Sequence, residues 1–387
     1  MKTVRGIASM PLVLKKVIHM KAVLAVVLAA VLFAGCGDGS AAPELTPIPT
    51  ATTAPTPTPI PMLELGSVSV AADVEELTAA DAALQELLDA ASFFTGLHRM
   101  DVSDCGFDTG ELLRLQEAYP ETEITARLTL YGQEFLTDAV ELDFSGTVIE
   151  DTTELEAMLP LMHKLEKVIM SDCGLSNEEM DALNKRHEDV RFVWTVYFGR
   201  CYYLRTDETA FIGSLFQGST MNYSVLYDKD AEVLKYCEDM VALDLGHMQL
   251  TNCEFVRNMP HLRYLILADN PMQDISALAG LEELWYLEIF NSWIREISPL
   301  LECPNLRHLN ISYLYLNDVE ALEQMTQLER LWFISPSVNQ DICQRLEETL
   351  SDTELVVGVS GNSTGGGWRQ HDAYFEMRDA FGAYYIY

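Results

Sequence analysis

Apolar positions recur with one fixed period through the second half of the chain. Leu262, Leu265, Leu267, Asn270 and Met272 set a template, and the segments 284–294, 306–316 and 328–338 repeat it. Met240 opens an earlier unit with Leu243, Leu245 and Leu250, so the starts at 240, 262, 284, 306 and 328 lie 22 residues apart. The alternation within each unit, as in Leu265-Ile-Leu267, predicts a short strand with one buried face. A side-chain amide at the Asn270 position is expected to bond the backbone of the tight turn that follows. A second apolar set, such as Ile275, Leu278 and Leu281, predicts a short helical or 3₁₀ segment packed behind the strand. One such unit cannot bury its own apolar face, whereas a stack of them can.

The first half follows a longer period. Leu97, Met100, Val102 and Cys105 match the template, as do Leu165, Val168, Met170 and Cys173, 68 residues further on. Both copies carry Ser-Asp-Cys-Gly. Each continues into a helical stretch (111–119; 178–187) and then an alternating segment (123–130; 191–198) that leads to Tyr-Gly or Phe-Gly. Thr137-Asp138 then corresponds to Thr206-Asp207, and Leu142-Asp-Phe144 supplies another strand. This half is expected to be a super-repeat of two strands per copy, with an inserted hairpin. The stretch 73–88 reads as a degenerate or capping copy.

The 22-residue units resemble the leucine-rich-repeat family, and their length resembles its internalin-type class. The resemblance implies an α/β solenoid: a curved parallel sheet on the concave face, short helices or 3₁₀ segments on the convex face, and here inserted hairpins. In such a sheet the residues flanking the central Leu point outward. One outward column holds Tyr264, Tyr286, His308 and Arg330; the next holds Ile266, Glu288, Asn310 and Trp332; a third includes Ala268 and Phe290. Exposed apolar patches mark interfaces, and Tyr, Trp and Arg dominate their hot spots. Tyr264, Tyr286, Glu288, Phe290, His308, Asn310, Arg330 and Trp332 are therefore the candidate ligand-binding residues. The competing expectation is that the hairpins or the aromatic C-terminus fold over this face and bury it. That C-terminus follows the glycine-rich run 361–367, expected to be a flexible break, and Tyr374, Met377 and Phe381 fall at helical spacing within it. It is expected to cap the last repeat or to dock a partner.

The N-terminus adds a location. Residues 22–34 form an uncharged apolar run of 13 residues, too short to span a bilayer, and basic residues precede it. Leu32-Phe33-Ala34-Gly35-Cys36 resembles the lipobox of bacterial lipoproteins, with Phe33 where that family prefers Leu. The resemblance implies cleavage before Cys36, diacylation of its thiol, and a protein held outside the cytoplasmic membrane by lipid alone. Two acyl chains suffice for stable attachment. The Pro/Thr-rich run 41–62 cannot build a core and is expected to be an extended, disordered tether. The expected organisation is signal peptide 1–35, tether 36–62, variant repeats 63–239, regular repeats 240–359, and break plus aromatic segment 360–387.

Charge narrows the partners. Five of the 25 Lys and Arg, and none of the 59 Asp and Glu, precede Cys36, so a chain starting there carries −39. That field disfavours nucleic acid and leaves a protein, peptide or glycan as the expected ligand. Seven cysteines remain beyond Cys36, an odd number, without a C-x-x-C pair, so free and mostly buried thiols are expected rather than a metal site. Gly361-Asn-Ser363-Thr-Gly365 matches the nucleophile-elbow motif. A glycine run follows it where a helix should start, however, and His371 precedes Asp379, so catalysis is not expected and no cofactor is implied. The sequence supports a surface binding module, with a structural or envelope-assembly spacer as the alternative.

Overall fold

A computed structural model describes residues 60–213, 225–317, 319–365 and 367–382. The signal peptide, Cys36 and nearly all of the tether lie outside the described residues. The described residues open with an antiparallel hairpin, β1 (Met62–Leu65) and β2 (Val68–Ala71), so this strand takes up the last residue of the expected tether. The stretch 73–88 is a true repeat copy, holding β3 (Glu76–Thr78) and most of α1 (Leu84–Ala90).

Two modules follow the duplication expected from the sequence. In the first, β3, β4 (Arg99–Asp101) and β5 (Glu123–Thr125) form a parallel sheet, with α2 (Thr109–Ala118) between the last two strands. Its hairpin is β6 (Arg127–Leu130) with β7 (Gln133–Leu136). In the second, β8 (Glu141–Asp143), α3 (Thr153–Met158), β9 (Lys167–Ile169), α4 (Asn177–Arg186) and β10 (Arg191–Val193) repeat the plan. The hairpin β11 (Thr195–Phe198) and β12 (Tyr202–Arg205) completes it. Each alternating segment expected to be one strand is thus two, broken at Ala126 and at Trp194. A threonine makes the break: Thr137 Oγ1 accepts the Ala126 N–H at 2.9 Å, and Thr206 Oγ1 accepts the Trp194 N–H at 3.2 Å. The helices start where side chains cap them. Asp108 accepts the Glu111 N–H (2.8 Å), Ser176 accepts the Glu179 N–H (3.2 Å), and each glutamate reaches back to its cap residue.

The regular array is a seven-stranded parallel sheet: β13 (Ala210–Ile212), β14 (Ala242–Asp244), β15 (Tyr264–Ile266), β16 (Tyr286–Glu288), β17 (His308–Asn310), β18 (Arg330–Ile334) and β19 (Glu354–Gly358). The sheet begins at Ala210, thirty residues before the first 22-residue unit. It is also separate from the two three-stranded sheets, so the curved parallel sheet expected with inserted hairpins is divided among the described strands into three, with a hairpin at each division. The register is in step throughout, with Leu243, Leu265, Leu287, Leu309 and Leu331 aligned and buried. Short 3₁₀ segments such as Glu254–Asn258, Ser276–Leu278 and Ser298–Glu302 pack behind these strands. A short helix, α5 (Asp228–Ala231), lies between β13 and β14; after β17 come α6 (Glu320–Gln324) and, before β19, α7 (Gln340–Thr349), and α8 (Asp372–Ala380) is the last described helix.

Asn270 does what its position demands. Its amide donates to the carbonyls of Leu245 and Leu267, both at 2.9 Å, and its oxygen accepts the Leu250 N–H at 3.0 Å. It thereby ties one coil to the coil before it. Cysteines do the same with a single donor: the Cys105 thiol points at the Ala79 carbonyl and the Cys173 thiol at the Phe144 carbonyl (3.2 Å). Cys105, Cys173, Cys237, Cys253, Cys303 and Cys343 are free thiols. Burial pushes the thiols of Cys237, Cys253 and Cys303 up to about 12, which keeps them protonated. Cys201, by contrast, is exposed.

Candidate functional site

The in-register ladder brings the candidate residues together as columns on the outer face of the sheet. Tyr264, Tyr286, His308 and Arg330 are successive register partners, and so are Ile266, Glu288, Asn310 and Trp332. The sheet does not leave them open, however. Each of the eight candidates is buried, Phe290 the most exposed of them at 9%. The element that covers seven of them, all but Phe290, is the chain's own C-terminal segment 361–382, so the expected cover over this face is what the structure shows. The segment lies across the sheet rather than over the last repeat as a cap.

Trp368 is the centre of the contact. It is fully buried, with its ring 5.4 Å from Tyr286 and 5.3 Å from Trp332, and the Arg330 guanidinium stands 4.6 Å from its centroid. Its indole N–H donates to Glu288 at 2.7 Å, and the Tyr286 hydroxyl donates to the same carboxylate oxygen. Burial raises the Glu288 carboxyl above its ordinary range, against the pull of these two donors. At the far end Glu376 on α8 accepts from Tyr264 (2.9 Å) and Arg263 (3.1 Å). The start of the segment is held through its main chain. Asn310 donates to the Ser363 carbonyl (2.7 Å), Tyr313 to Gly361 (2.8 Å) and Arg330 to Gly367 (3.2 Å). The expected flexible break is thus pinned to the sheet. His371 serves as the N-cap of α8, its Nδ1 accepting the Ala373 N–H at 3.0 Å.

Several polar atoms on this face are buried without a hydrogen-bond partner: both ring nitrogens of His308, Arg330 Nη1 and Trp332 Nε1. Burial, assisted by the charge of Arg330, pushes the His308 imidazole down to about 3, so its ring is neutral. The sheet faces of the two N-terminal modules are of another kind. They carry exposed ion pairs such as Arg99–Glu76 and Lys164–Glu123 (3.2 Å), and the half-buried Lys167–Asp207 pair at 2.9 Å. Sequence reasoning found the columns of this site but missed Trp368 and Glu376 as parts of it. The available signal was complementarity, since one chain holds both an apolar outward column and an amphipathic aromatic segment with nothing else to cover it.

The 22-residue coil, the parallel ladder in step, and the Asn270 amide tying adjacent coils define a leucine-rich-repeat solenoid. No family model matches the chain, and no curated protein matches it. Solved structures similar to it include internalin C2 of Listeria monocytogenes, 20% identical, covering 38% of this chain and 75% of that one, with a TM-score of 0.29. Internalin F of the same species is 15% identical over 75% of this chain and 74% of its own, TM-score 0.32. A leucine-rich-repeat protein of Leptospira interrogans is 14% identical over 72% of this chain and 76% of its own, TM-score 0.31. At these scores the fold assignment rests on the coil geometry itself.

Proposed function

We propose that this chain is a lipid-anchored, surface-displayed binding protein that captures a protein, peptide or glycan ligand on the outer face of its C-terminal sheet and catalyses no reaction. One observation supports the reading above the others. That face carries aromatic, Arg, His and Glu side chains in aligned columns, and three of them, His308, Arg330 and Trp332, retain buried polar atoms that the chain's own cover leaves unpaired. A face built only to be sealed is better served by plain apolar residues, because each unpaired buried polar group costs about 1–3 kcal/mol. A partner that supplies the missing acceptors and donors is better matched to it.

The lipid anchor at Cys36 and display outside the cytoplasmic membrane are part of the same proposal, resting on the N-terminal motif. The test uses the body, residues 63–387, panned against a random peptide library and a glycan array, with Glu288→Gln and Trp332→Ala as controls. Binders that lose at least tenfold in affinity on both folded controls are expected. Failure to obtain any binder sensitive to these two positions would overturn the proposal.

A further inference from the structure

The structure separates cleanly into two apolar cores. The inner core, between the sheet and the convex segments, runs from Leu65 to Val357 and contains no residue of the C-terminal segment. The second core, on the outer face, joins Tyr264, Tyr286, Trp332 and Ile334 to Trp368, Tyr374, Met377 and Phe381. The segment adds no strand to the sheet. Lifting it would therefore open the second core and leave the solenoid's ladder and inner core as they are.

The cover is also a poor fit for the polar atoms beneath it. His308 donates and accepts nothing, Arg330 Nη1 and Trp332 Nε1 point at no acceptor, and Glu288 is buried with two neutral donors and no hydrogen-bonded cation. Opening restores water to every one of these groups, which weakens the closed state relative to its apolar contact area.

We infer that the C-terminal segment is a resident pseudo-ligand: it occupies a tryptophan-recognition groove from which a tryptophan-bearing peptide segment of a partner protein displaces it. The inference rests on the binding reading above and narrows it to one ligand class. The chemistry of the groove selects that class. Tyr286, Trp332 and Arg330 enclose a flat ring, and Glu288 accepts its N–H. Asn310 and Arg330 donate to main-chain carbonyls on the N-terminal side of that ring, which is recognition of a polypeptide backbone rather than of a sugar. A ligand with a hydrogen-bond acceptor beside its tryptophan satisfies Arg330 Nη1 or Trp332 Nε1, which the resident segment does not, and so has the means to outcompete it.

The test uses a fluorescein-labelled synthetic peptide of residues 361–382 added in trans to the full body. A tethered competitor holds a high effective concentration, so the wild-type body is expected to bind the peptide weakly. Trp368→Ala loosens the resident copy and is expected to bind the peptide at least tenfold more tightly; Glu376→Ala, at the other end of the segment, should act in the same direction and serves where Trp368→Ala does not fold. Adding Trp332→Ala should remove the binding. Equal binding by wild type and both loosened variants, or binding by none of them, overturns the inference. A loosened variant that dimerises through its own segment would overturn the partner-ligand assignment in favour of exchange between copies.

Hydrogen exchange supplies the second measurement. The amides of α8 are expected to exchange at least about a hundredfold faster than those of β15–β17, through local opening; exchange only on global unfolding would make the segment a fixed part of the fold and sink the latch. The two proposals fail differently. Groove-dependent library binders with a fully protected segment leave ligand capture standing without the latch. A segment that opens and rebinds in trans, with no library binder, leaves the latch without ligand capture.

Discussion

At the scale of single residues, position within the coil decides what a side chain does. Asn270 makes bonds to two coils at once and is buried, so its replacement strands the carbonyls of Leu245 and Leu267 and the N–H of Leu250. Asn270→Ala is expected to cost about 2–4 kcal/mol, because several buried backbone groups lose their partner together. Chemical denaturation of the body measures this, and a loss below about 1 kcal/mol would show that water takes over the role. The residue was legible from its place after the Leu-x-Leu pair. Cys105 and Cys173 at the equivalent position were legible too, although as buried fillers rather than as thiol donors to a carbonyl of the preceding coil. Glu288 and Arg330 were legible only in part. The period placed them on the outward face, but periodicity records which way a side chain points and carries no information on what lies over it.

At the scale of elements, the duplicated modules show what the sequence pattern resolves and what it does not. The 68-residue offset located both copies, their helices and their hairpins. It did not resolve the break between a parallel strand and the hairpin strand that follows it, since apolar alternation passes through Ala126 and Trp194 unchanged and the break depends on threonines that return from eleven or twelve residues away. β13 was missed because Ala210-Phe-Ile stands outside the regular spacing. Docking between elements carries a pH signature of its own. Glu156 on α3 takes a bidentate pair from Arg186 at the end of α4 (3.0 and 3.2 Å) and a bond from His187 (2.9 Å). Partial burial pushes this carboxyl up, but the hydrogen bonds from Arg186, Thr152 and His187 outweigh it and hold it at about 2. A carboxyl depressed in the folded state stabilises the fold above its ordinary value of 4.5, and the contribution is lost as pH falls from there toward about 2. Glu156→Gln should therefore lower stability at pH 7 by about 1–2 kcal/mol, allowing for the solvent exposure of Arg186. The difference from wild type should shrink steadily between pH 4.5 and pH 2 in thermal melts. A difference that holds constant across that range would mean that packing, not charge, joins α3 to α4.

At the scale of the whole molecule, two forces oppose each other along the array. The coils share one inner core, so each is stabilised chiefly by its neighbours. Against this stands the charge. Beyond Cys36 the acids outnumber the bases 59 to 20, and the ion pairs of the structure can neutralise only the minority sign. Exposed pairs of that kind contribute little each, typically about 0–1 kcal/mol. The unpaired carboxylates repel one another whenever the chain is compact, and the repulsion relaxes on unfolding. Salt screens like charges over about 10 Å at 0.1 M and about 3 Å at 1 M. The prediction is a melting temperature that rises by a few degrees between about 20 mM and 300 mM NaCl, since 1 kcal/mol shifts the melting of a domain this large by about 2–4 °C. Sodium chloride is the right probe, because sulfate would also strengthen apolar burial and confuse the two effects. A melting temperature that instead falls with salt would mean that the ion pairs on the N-terminal sheets, Lys167 with Asp207 foremost among them, outweigh the repulsion of the whole.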